Sequence, residues 1–139
     1  MRMLAACTAL AAGLGACTET SAAPDAAASA PPAAREIVEV EALPQGCALT
    51  VRFGSYAMGI DGGAARRIEA LLTTDPRVSA VSRHGRGREG EYALCAETRA
   101  AADGSALLAD IRPLLPAKPR GPIEIKLADG TRLHAPPRR

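Results

Sequence analysis

From Ile37 onward, apolar positions recur by turns every two residues and every three to four, the periods of strand and helix. Residues 36–43 set Ile37, Val38 and Val40 among Glu36, Glu39 and Glu41 and read as a weak strand or an extended lead-in. Residues 47–53 alternate cleanly, with Cys47, Leu49, Val51 and Phe53 on one face and Ala48, Thr50 and Arg52 on the other. A glycine-rich turn follows. Ala64, Ala65, Ile68, Leu71 and Leu72 then form the apolar stripe of a helix over 62–73, N-capped by Asp61 and stopped by Asp75-Pro76. Residues 77–84 and 91–97 read as strands joined by Gly85-Arg86-Gly87-Arg88-Glu89-Gly90, a hairpin connection. Asp103 caps a second predicted helix, with Leu107, Leu108 and Ile111 on one face, ending near Pro113. Ile123, Ile125 and Leu127 alternate in a last strand, and Asp129-Gly130 turns the chain into a short return through Leu133.

This order, β-α-β-β-α-β, predicts an α+β fold: a ferredoxin-like sandwich with an antiparallel sheet and two helices on one face. A faint internal echo agrees with it. Asp61-Gly62-Gly63-Ala64 and Asp103-Gly104-Ser105-Ala106 each open a helix leading to a Leu pair, Leu71-Leu72 and Leu114-Leu115. Two such halves set the first and third of these strands antiparallel, the start of one beside the end of the other.

The N-terminal region has a different grammar. Residues 3–16 are an apolar run preceded by Arg2 and closing on small residues, the layout of a secretory signal and too short to span a bilayer as a mature helix. Its end, Leu14-Gly15-Ala16-Cys17, resembles the lipobox of bacterial prolipoproteins: a Leu, two small residues, then the Cys that is lipidated and becomes residue one. The resemblance implies a lipoprotein signal peptide over 1–16 and a lipid anchor on Cys17, whose several acyl chains hold a membrane stably where one chain is marginal. Leu4-Ala5-Ala6-Cys7 matches the same short pattern but leaves almost no apolar region ahead of its Cys, where a signal needs roughly 7–15 residues. Thr18 follows Cys17; in the prolipoproteins it resembles, an Asp there retains the protein in the inner membrane. The resemblance therefore implies the outer membrane, with the domain facing the periplasm. Residues 17–35 read as the lipidated Cys and an Ala/Pro-rich tether, broken by Pro24, Pro31 and Pro32, which spans about 20–25 Å as a flexible coil. Residues 36–139 suffice for a single small α+β domain.

Composition narrows the partners. Without Arg2, sixteen Lys and Arg face fifteen Asp and Glu, a balance that gives no reason to expect nucleic acid. One Phe, two Tyr and no Trp mean a core of Leu, Ile, Val and Ala. With Cys7 lost with the signal and Cys17 lipidated, Cys47 and Cys95 remain, and in an oxidising compartment such a pair is expected to form a disulfide. A reactive thiol pair or a metal site has no local support: there is no C-x-x-C spacing, and His84 and His134 are isolated in sequence. One conflict stays open. Cys47 shares a predicted face with Leu49 and Val51, whereas Cys95 lies opposite Tyr92 and Leu94. Either a bulge re-aims one cysteine, or Ala93 and Cys95 face the helices and Tyr92 and Leu94 form an apolar patch on the open face, a docking surface.

Two segments carry possible chemistry. Gly54, Ser55, Gly59, Gly62 and Gly63 lead into a helix N-terminus, where backbone N–H groups can converge on an anion with Arg52 or Arg66 as charged partner. The position resembles the phosphate loop of acylphosphatases, but that family pairs its loop with a catalytic Asn, and this chain contains no Asn. The plain alternative is a tight turn closed by the Asp61 cap. Arg83, His84, Arg86 and Arg88 make the hairpin basic, tempered by Glu89 and Glu91. They read as a charged tip that discourages edge pairing, or as a contact surface for phosphate or carboxylate groups. Ser55 lacks G-x-S-x-G or S-x-x-K context, and nothing in the sequence orients His84 as a base, so no catalytic residue, metal or cofactor is assigned. The expectation is an envelope lipoprotein, held to the membrane by lipid, whose domain binds another envelope protein. The alternative is a small anion- or phosphate-binding, enzyme-like domain using the loop at 54–63.

Overall fold

The computed structural model describes residues 33–135; the predicted signal peptide, Cys17 and the tether up to Pro32 lie outside these residues. Among the described residues the chain forms β1 (Ile37–Glu39), β2 (Leu49–Phe53), α1 (Gly62–Thr74), β3 (Val78–Arg86), β4 (Glu91–Thr98), α2 (Asp103–Ile111), a single 3-10 turn (Arg112–Leu114), β5 (Ile123–Leu127) and β6 (Arg132–Ala135). The strands make one sheet in the order β1-β3-β4-β2-β5-β6. The fold is α+β, with a mixed sheet.

The sheet departs from the antiparallel expectation at one edge. Ile37, Val38 and Glu39 pair in parallel with Val81, Ser82 and Arg83, while the other four pairings are antiparallel. The cause is the route of the chain after β1. Val40 still donates to the Arg83 carbonyl (2.8 Å), after which residues 41–47 return along the sheet to the end where β2 begins. β1 and β2 therefore run the same way, and β1 runs with β3.

Alternation decides what each face carries. Leu49, Val51 and Phe53 of β2, Val81 of β3, Leu94 and Ala96 of β4, and Ile123, Ile125 and Leu127 of β5 are buried. They form one cluster with Ala64, Ala65, Ile68 and Leu72 of α1 and Leu107, Leu108 and Ile111 of α2. Both helices cover this one face. Tyr92 packs against the same cluster, its ring 5.0 Å from that of Phe53. The apolar patch of Tyr92 and Leu94 on the open face does not form.

The cysteines meet by a route that neither sequence alternative described. Cys47 and Cys95 are joined, with Cα atoms 5.3 Å apart. Cys95 lies in register with Thr50 and Ser82, facing away from the helices, and the strand irregularity falls at Val78/Ala80 in β3 instead. Cys47 precedes β2 and so does not share the face of Leu49 and Val51; it arrives with the returning chain on the open side. Asp103 is likewise not the cap of α2. It is the first helical residue, and its carboxylate accepts from the Ala100 N–H at 3.1 Å.

Candidate functional site

The loop from Gly54 to Asp61 leaves the end of β2 under a tight constraint. Gly54 donates to the Pro122 carbonyl at 2.8 Å, and the segment before β5 crosses so closely that a Cβ on Gly121 would overlap the Gly54 carbonyl. A Cβ on Gly54 would meet Pro122 Cγ at 2.8 Å. Gly121 admits only glycine without movement of the backbone, and at Gly54 the Pro122 ring would have to shift.

Beyond Gly54 the loop folds around Ser55. Its hydroxyl accepts from the N–H groups of Ala57 and Gly59, each at 3.0 Å, and donates to Glu89. The Ser55 N–H donates to Glu91 Oε1 at 3.2 Å, so the loop is tied to the β3–β4 hairpin. Ala57 has φ +83°, a left-handed conformation that costs a non-glycine residue about 1 kcal/mol or more. The result is a turn that points Tyr56 and Met58 outward, 59% and 80% exposed. Two large apolar residues in a glycine-rich turn without period are the signal in the sequence for this exposure.

At the helix end of the loop, Asp61 Oδ1 accepts from Ala64 N–H at 2.9 Å, which confirms the cap. Asp61 Oδ2 accepts from Arg120 N–H at 3.1 Å, pinning the crossing segment to α1. The Ala64 bond, with those of Arg120 and Gly63 and the nearby Arg67, outweighs the effect of burial and holds the Asp61 carboxyl below the usual range. Gly54, Ser55, Gly59, Gly62 and Gly63 are thus brought to one end of the sheet. Three of the N–H groups that an anion could use there, those of Ala57, Gly59 and Ala64, are taken by the Ser55 hydroxyl and the Asp61 carboxylate. Arg52 and Arg66 flank the loop from different sides: Arg52 lies on the helix-free face next to Gly54, and Arg66 reaches back along α1, its Nη1 3.5 Å from where a Cβ on Gly62 would be.

The basic hairpin divides in the same way. Arg83 turns to the helix side, pairing with Glu69 of α1 and with Glu39 (3.3 Å), its guanidinium carbon 4.6 Å from the centre of the Tyr92 ring. Burial works against its charge, but Glu69 and then Tyr92 and Glu39 hold it above its ordinary pKa. Tyr92 donates to Glu69 at 2.7 Å; burial and that bond push its phenol upward. His84 faces the other way, and its Nδ1–H donates to the Val40 carbonyl at 3.1 Å. Arg86 and Arg88 stay exposed near the tip, beside the loop that carries Tyr56 and Met58.

The opposite end of the domain receives the chain from the N-terminal side. Arg35 donates its N–H to the Thr73 carbonyl at 2.8 Å, and its guanidinium reaches the carbonyls of Thr73 (3.2 Å) and Asp75 (2.8 Å). A cation at a helix C-terminus opposes the negative end of the helix dipole, and α1 has no basic residue in its own last turn. Tyr56, Met58, Arg86 and Arg88 therefore lie at the far end of the sheet from Arg35.

No protein-family model matches the chain, and neither a curated protein nor a solved structure does.

Proposed function

We infer that the chain is an outer-membrane lipoprotein, anchored through Cys17, whose periplasmic domain docks onto another envelope protein through the end that carries Tyr56 and Met58. The carrying observation is the turn at Ala57, where a left-handed residue and the Ser55 hydroxyl hold two large apolar side chains out in water. A soluble surface gains nothing from that arrangement by itself. Buried in a partner, aromatic and Met side chains are the kind that anchor interfaces. Arg86 and Arg88 beside them favour a partner whose pocket is rimmed by carboxylates.

The ferredoxin-like reading is proposed for the middle of the sheet, on the order β3-β4-β2-β5 with α1 and α2 between its strands, β1 and β6 being additions at the edges. The docking reading is preferred over the enzyme-like one because the loop's own Ser55 and Asp61 take three of the N–H groups an anion could use.

The test is site-specific photocrosslinking in intact cells, with the reactive residue at Tyr56 and, as control, at the exposed Ser79. The expected result is one discrete protein adduct at Tyr56, absent at Ser79 and lost on Met58→Asp. Equal adducts at both positions, adducts to lipid, or no adduct would overturn the docking reading.

A further inference from the structure

The helix-free face holds a groove of about 420 Å³ that belongs to neither the loop nor the hairpin. Its floor is Thr50 and Arg52 of β2, Glu124 and Lys126 of β5, and Arg132 of β6; its wall is the returning segment at Leu43 to Gln45. The Cys47–Cys95 disulfide fixes that wall to the sheet. A volume of this size lies within the range of small-molecule sites.

The charges on the floor are unbalanced. Three cations face one carboxylate, leaving a local excess of two positive charges. The one ion pair in the groove, Arg132 with Glu124 at 3.6 Å, is long. Arg52 and Lys126 have no ion pair among the described residues. Moreover, Lys126 and Arg132 are direct cross-strand partners, and like charges placed directly opposite one another destabilise a sheet. Arg52 lies directly opposite Glu124, and Thr50 directly opposite Lys126, so all three cations fall within two adjacent rows of the ladder.

We propose that this groove binds a small organic phosphate, a dianionic phosphomonoester whose phosphate sits on Arg52, Lys126 and Arg132. A dianion matches the excess charge and relieves the Lys126–Arg132 repulsion, while guanidinium groups give the fork that phosphate oxygens accept. The groove is larger than a phosphate needs. Leu43 and Pro44 line part of the remainder, which suits a small organic body more than a bare ion. The inference does not rest on the docking reading: the groove is walled by residues 43–45 and runs toward the start of β2, whereas Tyr56 and Met58 follow its end.

The experiment is an amide-shift titration of the intact purified chain with glucose 1-phosphate, glucose and inorganic phosphate, at constant ionic strength. Expected are saturable shifts at Arg52, Lys126, Arg132 and the wall residues with glucose 1-phosphate. Inorganic phosphate should bind about tenfold more weakly and glucose should not bind, and Lys126→Gln should weaken glucose 1-phosphate about tenfold without altering the spectrum elsewhere. Lys126 is exposed, so the variant tests binding and not folding. Equal binding of inorganic phosphate, shifts centred on Arg88 and the hairpin tip and not on Lys126 and Arg132, or no saturation would each overturn the proposal.

Discussion

Cys47 bonds Cys95 on the face of the sheet opposite the helices, from a position before β2 begins. The bond therefore does more than join two strands that already pair. It fastens the segment returning from β1 onto a face that otherwise carries polar side chains, and covers one side of β4, where Ala93 and Cys95 are fully buried.

Replacing both cysteines, Cys47→Ala with Cys95→Ala, should cost about 4 kcal/mol, the loop-closure entropy of a cross-link of this span. Urea unfolding of the variant and the parent measures it. Hydrogen exchange should show amides at 41–48 losing more protection than those of α1. Equal loss throughout would mean that the bond constrains the unfolded chain without holding the segment locally.

Asp61 joins two elements that the sequence keeps far apart, α1 and the segment before β5. Asp61→Ala should cost about 1–2 kcal/mol from the lost cap alone. The folded-state pKa is depressed, so its stabilisation is present above the ordinary carboxylate value and is lost as pH falls below about 4. Asp75, held low by Arg77, loses its contribution in the same direction. Comparing parent with Asp61→Asn removes that background: their difference in stability should shrink as pH is lowered. A difference that does not change with pH would exclude the Asp61 charge as its source.

Gly121→Ala should destabilise the fold by at least ~1–3 kcal/mol, because its Cβ meets the backbone of Gly54 and not a side chain that can turn away. Gly46→Ala is the control, with nothing within 4 Å of the added carbon. Thermal unfolding of the two variants should separate them clearly. Similar midpoints would mean that the crossing segment shifts without penalty.

The elements were legible because each carries its own period and punctuation: the stripe of α1, the Asp61 cap and Asp75-Pro76 stop, the glycine hairpin, the alternation of β2 and β5. What the sequence hid was non-local. Arg83 in a row of basic residues looks like a surface charge, and only the pairing of β3 with β4 and the packing of α1 bring Tyr92 and Glu69 to it. The alternation of β2 does not reach Cys47, because hydrogen bonding to the neighbouring strands begins only at Ala48. Glu89 and Glu91 looked like a counterweight to the arginines, yet they serve as hydrogen-bond acceptors for Ser55. Lys126 and Arg132 are unremarkable in sequence; their opposition exists only in the register of β5 with β6.

The proposed anchoring rests on Cys17. No helix among the described residues is long and apolar enough to cross a membrane. Burying an acyl chain is worth about 0.8 kcal/mol per CH₂, and a single chain gives a membrane association near ~10⁴ M⁻¹, so attachment should depend steeply on the lipidated residue. Cys17→Ser should move the protein from the membrane pellet to the soluble fraction, whereas Cys7→Ser should leave it in the pellet. The mature parent should carry lipid mass on a peptide beginning at Cys17. Retention of Cys17→Ser in carbonate-washed membranes would sink the lipoprotein reading.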